Sequence, residues 1–208
     1  MATTIPCIKH ASKNAPYDAL ELKISFNNWP DQFPYSPMVK CRLWHNGDTL
    51  FIIFYVEEKF IAAKAEKDND KVCRDSCVEL FISFGPDGYY NIEANCGGKI
   101  LMSHRKGRKT DVEYATPEVL SQIKRFPSLG EAPFENRAAD GTWQLVLSIP
   151  VSSFFKHEFK SFKGLNATGN IYKCGDDLPL PHYLSLFPIT MDSPDFHRPE
   201  FFQPIHFS

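Results

Sequence analysis

Apolar and polar residues alternate along most of this chain, with the period of two that marks half-buried strands. Residues 19–26 (ALELKISF) and 38–44 (MVKCRLW) follow it, and 49–56 (TLFIIFYV) is an almost unbroken apolar run. Asn46-Gly47 between the last two predicts a hairpin, because these residue types tolerate the positive φ of a tight turn. The pattern continues through 73–84 (CRDSCVELFISF), 89–96 (YYNIEANC), 99–104 (KILMSH) and 142–149 (TWQLVLSI), with late strands at 170–174 and 183–189. A helical period occurs once: Thr116 is the N-cap, Pro117 the first helical residue, and Val119, Leu120, Ile123 and Phe126 share a face. Pro150 opens a short helical turn over 152–155. About ten short strands with one or two short helices predict an all-β fold, a single β-sandwich of antiparallel strands spanning residues 1–208.

The hairpin of 77–84 and 89–96 carries the most chemistry. Val78, Leu80, Ile82 and Phe84 form its apolar parity on one strand, and Tyr90, Ile92, Ala94 and Cys96 on the other. The opposite face then holds Cys77, Glu79, Phe81 and Ser83 against Tyr89, Asn91, Glu93 and Asn95. A loop over 84–88 pairs 81 with 91 and sets Glu79 opposite Glu93, because cross-strand neighbours must share a face. Directly opposed side chains have Cβ atoms about 5 Å apart, where two like charges repel. Three readings fit such a face. It is solvated, with Arg74, Lys99 or Arg105 offsetting the acids. It binds a sugar, whose hydroxyls suit carboxylates and amides and whose apolar face suits Tyr89 or Phe81. Or it is catalytic, since glycoside hydrolysis uses carboxylates about 5 to 9.5 Å apart.

Composition narrows the partners. The chain has 208 residues, 43% hydrophobic, enough for one core. A formal net charge of −2 gives no global electrostatic case for nucleic acid or a membrane surface. The basic cluster HRKGRK (104–109) is read as a solvated hairpin turn, with no aromatic platform beside it. No apolar run reaches the roughly 18 residues of a membrane span. The opening MATTIPCIKHASK lacks a signal-peptide core, which predicts a cytoplasmic chain, or an exported one if this is a mature form.

Six cysteines do not make a disulfide framework. Cys73 and Cys77 in one strand would lie about 13 Å apart. That is beyond the roughly 7 Å reach of a disulfide, and too far to share a metal unless the chain bends near Arg74. No metal site is therefore expected. Trp44 and Trp143 sit inside alternating strands and read as core or sheet-face residues, whereas Trp29, in the proline-rich loop NNWPDQFPYSP, is the best exposed ring. In the closing PDFHRPEFFQPIHF, one reading packs Phe201, Phe202 and Phe207 inward and pairs Arg198 with Asp75 or Glu79. The other sets Phe196, His197 and Arg198 on the rim of a pocket over Glu79.

RDSCVELFISF followed by YYNIEAN resembles carbohydrate-binding module family 9, especially its family-9-like bacterial branch. The resemblance continues through SLGEAPF (128–134), WQLVLSIP (143–150), NIYKCGD (170–176) and the closing segment, covering roughly 37–207 in order. It implies a lectin-like β-sandwich, of the kind shared with DOMON-like domains, that binds saccharides without catalysis. In sugar binders of the family two tryptophans sandwich the ligand and an acid follows the D-S pair. Glu79 matches that acid, and Glu93 or a neighbour matches a second polar contact. Phe196 aligns with one tryptophan; the other falls near Val72, where no ring stands, and Leu186 replaces a further one. The aromatic sandwich therefore does not carry over. Some members hold structural calcium, for which EKDNDK (66–71) offers oxygens but no recognisable loop pattern.

The expected function is saccharide binding centred on Glu79, with Arg74, Asn91, Glu93, Phe196 and Arg198 around it. The alternatives are a protein-interaction sandwich that has lost its sugar, a hydrolase using Glu79 and Glu93, and a haem domain, for which Met102 and His104 are the axial candidates.

Overall fold

The alternation resolves into two large packed sheets and a two-stranded one. The computed structural model describes residues 2–9 and 14–208; residues 1 and 10–13, part of the opening read for a leader, lie outside the described residues. In chain order the strands are β1 (Thr3–Ile5), β2 (Leu20–Lys23), β3 (Phe26–Asn27), β4 (Met38–His45), β5 (Thr49–Glu57), β6 (Phe60–Ala63), β7 (Cys77–Ser83) and β8 (Tyr89–Asn95). They continue as β9 (Ile100–Arg105), β10 (Glu113–Tyr114), β11 (Lys124–Pro127), β12 (Phe134–Ala138), β13 (Thr142–Pro150), β14 (Asn166–Cys174), β15 (Tyr183–Ser185) and β16 (Gln203–Phe207). A nine-stranded sheet runs β1-β16-β14-β7-β8-β9-β10, with β15 joined to β14 and β3 to β15. A five-stranded sheet runs β11-β13-β5-β4-β2, and β12 pairs with β6. The sixteen strands among the described residues exceed the expected ten because pieces such as β3 and β10 are two residues long, too short to show a period.

The apolar parities of the two sheets face each other. Val78, Leu80 and Ile82 of β7 and Tyr90, Ile92 and Ala94 of β8 join Leu43, Leu50, Ile52, Phe54, Trp143 and Leu145 of the five-stranded sheet in one core. Burying each large apolar side chain contributes on the order of 1.5–3 kcal/mol, so these parities fix the register of the sandwich. Gly88 has φ +132, and a Cβ there would lie 2.5 Å from the Arg105 carbonyl oxygen, so only glycine lets β8 start this close to the end of β9.

Several local expectations are corrected. The run 73–84 is not one strand: Val72–Arg74 is a turn of 3-10 helix and pairing begins at Cys77. The run 19–26 divides between β2 and β3, which belong to different sheets. The helix α1 (Pro117–Gln122) begins as expected, with the Thr116 side chain accepting from the Val119 N–H, but stops before Phe126. Pairing of β11 with β13 takes Phe126 into a strand, where it is 45% exposed. Asp68 accepts from the Ile100 N–H and pairs with Arg125 at 2.6 Å, while Asp70 accepts from the Glu66 and Lys67 N–H groups. Asp70 thus serves the turn itself, and Asp68 ties it to β9 and β11. Met102 lies in the sandwich core and His104 packs on Tyr90 at 4.8 Å, so neither presents itself to a haem.

The other face of the nine-stranded sheet is not solvated. Cys77, Phe81, Tyr89, Leu101, Tyr172 and Cys174 form a second apolar layer with Trp29, Ile189, Phe196 and Phe202, which come from the loop after β3 and the segment before β16. Trp29 is 4% exposed and its indole N–H donates to the Met191 carbonyl at 2.7 Å, so it plugs this layer instead of offering a platform. Trp44, stacked on Phe51, and Trp143, whose indole N–H reaches Glu58, are both buried.

Candidate functional site

The register brings Glu79 of β7 directly opposite Glu93 of β8, and both are buried beneath the C-terminal segment. β14 flanks β7 on its other side, with Tyr172 opposite Glu79 and Cys174 opposite Cys77. One patch of sheet therefore carries Cys77, Glu79, Glu93 and Cys174 on a single face. Above it lies a cavity of about 110 Å³. Its floor is Glu79, Glu93 and Phe81; Cys73, Cys174, Asp176 and Tyr183 form one side; Arg108 and Pro194 to His197 close the other. Two larger hollows, of about 420 and 370 Å³, lie along the Lys23–Tyr55 edge of the five-stranded sheet and around His104 and His157. Neither gathers buried acids.

Two like charges on this floor need support, and the structure supplies it unequally. Arg105 donates to the Ser103 hydroxyl through Nε and Nη2, Ser103 donates to the Asn91 carbonyl oxygen, and the Asn91 amide donates to Glu93 Oε1 at 2.7 Å. Burial pushes the Glu93 carboxyl up to about 7, against the downward pull of Asn91 and Arg105. Glu79 has no such chain. Among the described residues, its oxygen accepts only from the Cys174 thiol at 3.1 Å and, at 4.0 Å, the Cys77 thiol. Burial first, and the facing Glu93 second, hold Glu79 well above the usual carboxylate range. Burial raises Asp176 as well. His197 is pushed down to about 3 by burial and by Arg105 and Arg108, so it stays neutral, its Nδ1 3.0 Å from the Tyr89 hydroxyl.

The lining rings are not a sandwich. Phe196 stacks on Tyr172 at 4.2 Å and 9°, with the Tyr172 hydroxyl donating to its carbonyl. It also meets Tyr183, another lining residue, edge-on at 6.2 Å and 69°. One ring is thus fixed from behind and the other stands nearly perpendicular. Val72 and Leu186, the positions read as lacking tryptophan, are both core residues.

Of the residues singled out from the sequence, Glu79, Glu93 and Phe196 line the cavity. Asn91 stands behind Glu93 as its donor. Arg74 lies outside the lining, 3.6 Å from Asp177 on the surface. Arg198 does not reach Asp75 or Glu79; it pairs with Asp195 at 3.0 Å and Glu200 at 3.7 Å and so braces the cap. The turn at Val72–Arg74 is the bend that the cysteine spacing required, and Cys73 lines the cavity. The partner of Cys77 is nevertheless Cys174, across the sheet.

Cys174, Asp176, Tyr183 and Arg108 were not anticipated. The first two fall in NIYKCGD, one of the segments already noted, but their place depends on β14 pairing with β7. Arg108 comes from the basic turn read as solvated; it reaches Asp195 at 3.8 Å.

The model of carbohydrate-binding family 9 matches residues 15–207. A crystal structure from Bacteroides uniformis ATCC 8492, named as a candidate carbohydrate-binding protein, is 35% identical over the whole of both chains, with a TM-score of 0.92. A family 9 carbohydrate-binding module from Caldicellulosiruptor kristjanssonii in complex with glucose shares the fold at a TM-score of 0.61 and 10% identity, covering 99% of this chain and 96% of its own. The corresponding complex with cellotriose has a TM-score of 0.58 at 9% identity, covering 100% of this chain and 93% of its own. None of the curated proteins matches the chain.

Proposed function

We propose that this chain, which belongs to carbohydrate-binding family 9, acts as one domain that binds a saccharide without transforming it, in the cavity over Glu79 and Glu93. The observation that carries this reading is the buried carboxylate pair at the base of an open cavity with one fixed ring, Phe196, in its wall. Sugar hydroxyls both donate and accept. Glu79, Glu93 and Asp176 offer acceptors, Arg108 and His197 offer donors, and Phe196 and Tyr183 offer apolar surface to ring C–H groups. The size limits the ligand. A cavity of about 110 Å³ is well below the roughly 300 Å³ of a site for a drug-sized molecule. It suits one saccharide unit or the end of a chain, with the rest in solvent. Arg74 and Arg198 have no direct part in this reading; Asn91 acts by orienting Glu93.

Calorimetry and glycan-array screening of the wild type, Glu79→Gln and Phe196→Ala test the reading. Exchanging the Glu79 carboxyl for an amide should weaken binding about 2- to 10-fold, the worth of one hydrogen bond. Loss of the ring should cost about tenfold. Failure of the wild type to bind any saccharide at millimolar concentration would refute it. Turnover of aryl glycosides that Glu79→Gln abolishes would replace it with hydrolysis.

A further inference from the structure

We propose that Cys77, Glu79 and Cys174 bind a thiophilic metal ion of the zinc class, through two thiolates and one carboxylate, with the fourth coordination position open to the cavity. The inference does not depend on the saccharide reading, although the two share Glu79.

Geometry is the first support. One ligand atom from each residue can be chosen so that all lie within 4.8 Å of one another. Glu79 Oε1 is 3.1 Å from Cys174 Sγ and 4.0 Å from Cys77 Sγ. A tetrahedral ion with metal–sulfur bonds of about 2.3 Å and a metal–oxygen bond of about 2.1 Å sets sulfur–oxygen separations near 3.6 Å. The observed pair straddles that value, and the two sulfurs, within 4.8 Å of each other, would close to the roughly 3.8 Å edge of the same tetrahedron. The sheet makes this arrangement rigid: residues 77 and 79 share a face of β7, and Cys174 is the direct cross-strand neighbour of Cys77.

The second support is the poor satisfaction of Glu79. A carboxylate only 3% exposed ordinarily has a cation or several strong donors beside it. Among the described residues, Glu79 makes no ion pair and accepts only from two sulfhydryls, which are weak donors. The nearby cation Lys173 is committed elsewhere, to Glu58 at 2.9 Å. A divalent ion bound in place of the sulfhydryl protons, which would leave to solvent, gives Glu79 the strong partner it lacks. Glu79 and Cys174 both line the cavity, so the ion has an entry path and a fourth position for water. Two sulfur ligands select zinc, cadmium or cuprous ions over calcium or magnesium, which take oxygen donors.

The test is titration of the reduced, chelator-stripped full chain with Co²⁺ alone, under anaerobic conditions. One equivalent should produce a sulfur-to-cobalt charge-transfer band and the visible absorption of tetrahedral Co²⁺. Both should be lost in Cys77→Ser/Cys174→Ser and kept in Cys73→Ser. Should the double variant fold poorly by circular dichroism, the wild type still decides: X-ray absorption of the one-equivalent Zn²⁺ form should show two sulfur neighbours near 2.3 Å. No charge-transfer band in the wild type, a band that survives in a folded double variant, or a zinc shell without sulfur overturns the proposal.

Discussion

Replacing Lys173 by methionine should destabilise the fold by about 3–5 kcal/mol, the cost of stranding one member of a buried ion pair. Lys173 Nζ lies 2.9 Å from Glu58 Oε2, and both side chains are fully buried. The ammonium also donates to His182 Nε2 and to the Cys174 carbonyl, each at 2.7 Å. Among the described residues, Glu58 has one other donor, the Trp143 indole N–H, at 2.7 Å. Methionine fills similar volume but leaves Glu58 buried with that single hydrogen bond and leaves two acceptors unmatched. In a chain of this length each kcal/mol shifts the melting midpoint by about 2–4 °C, so the midpoint should fall by about 6–20 °C. Urea unfolding followed by tryptophan fluorescence gives the free energy directly. Glu58→Gln/Lys173→Met removes both charges and keeps an acceptor for Trp143, so it should be less costly than Lys173→Met alone. A single variant within about 1 kcal/mol of wild type, or a double variant whose cost equals the sum of the two singles, would refute the reasoning. The pair matters to the site because successive residues of a strand point to opposite faces. It anchors β14 from behind, at the residue before Cys174.

Other consequences concern pH and packing. Glu93 is raised from 4.5 to about 7, so the folded chain retains a proton that the unfolded chain gives up; stability should fall as pH rises through that window, by at most about 1.4 kcal/mol per unit. Glu93→Gln should flatten this slope in urea titrations with chelator present, and an unchanged slope would count against the buried-pair account. His182, surrounded by the buried ion pair, is lowered from 6.5 to about 2, chiefly by burial, and so acts in the opposite sense. Between those values only the unfolded chain takes up the proton, so wild type should lose stability as pH drops below about 6.5, and His182→Asn should lose less over the same range. Gly169→Ala should cost about 1–3 kcal/mol in thermal melts, because its Cβ would stand 2.5 Å from the Phe81 carbonyl oxygen and 3.0 Å from Ile205 Cδ1; a neutral result would mean that β14 and β7 can separate cheaply.

Glu79 opposite Glu93 was legible in the sequence because it rests on local rules. A five-residue loop and a period of two leave one register for 77–84 against 89–96, and the observed pairing is that register. The inward parity of both strands, the α1 N-cap at Thr116 and the buried Trp44 and Trp143 were readable for the same reason. Tertiary structure alone decided what those positions face. One reading of the closing segment did set Phe196 over Glu79, but nothing near Glu79 in the chain announces that Ile189 and Phe202 join it in covering that side of the sheet, and that cover turns a solvated face into a buried one. Cys174, Asp176 and Tyr183 reach the cavity through the pairing of β14 with β7, and Arg108 through its contact with Asp195. Alternation records which way a side chain points relative to its neighbours in the chain. Which distant segment meets it is set by long-range packing, in which many segments compete for the same apolar surface.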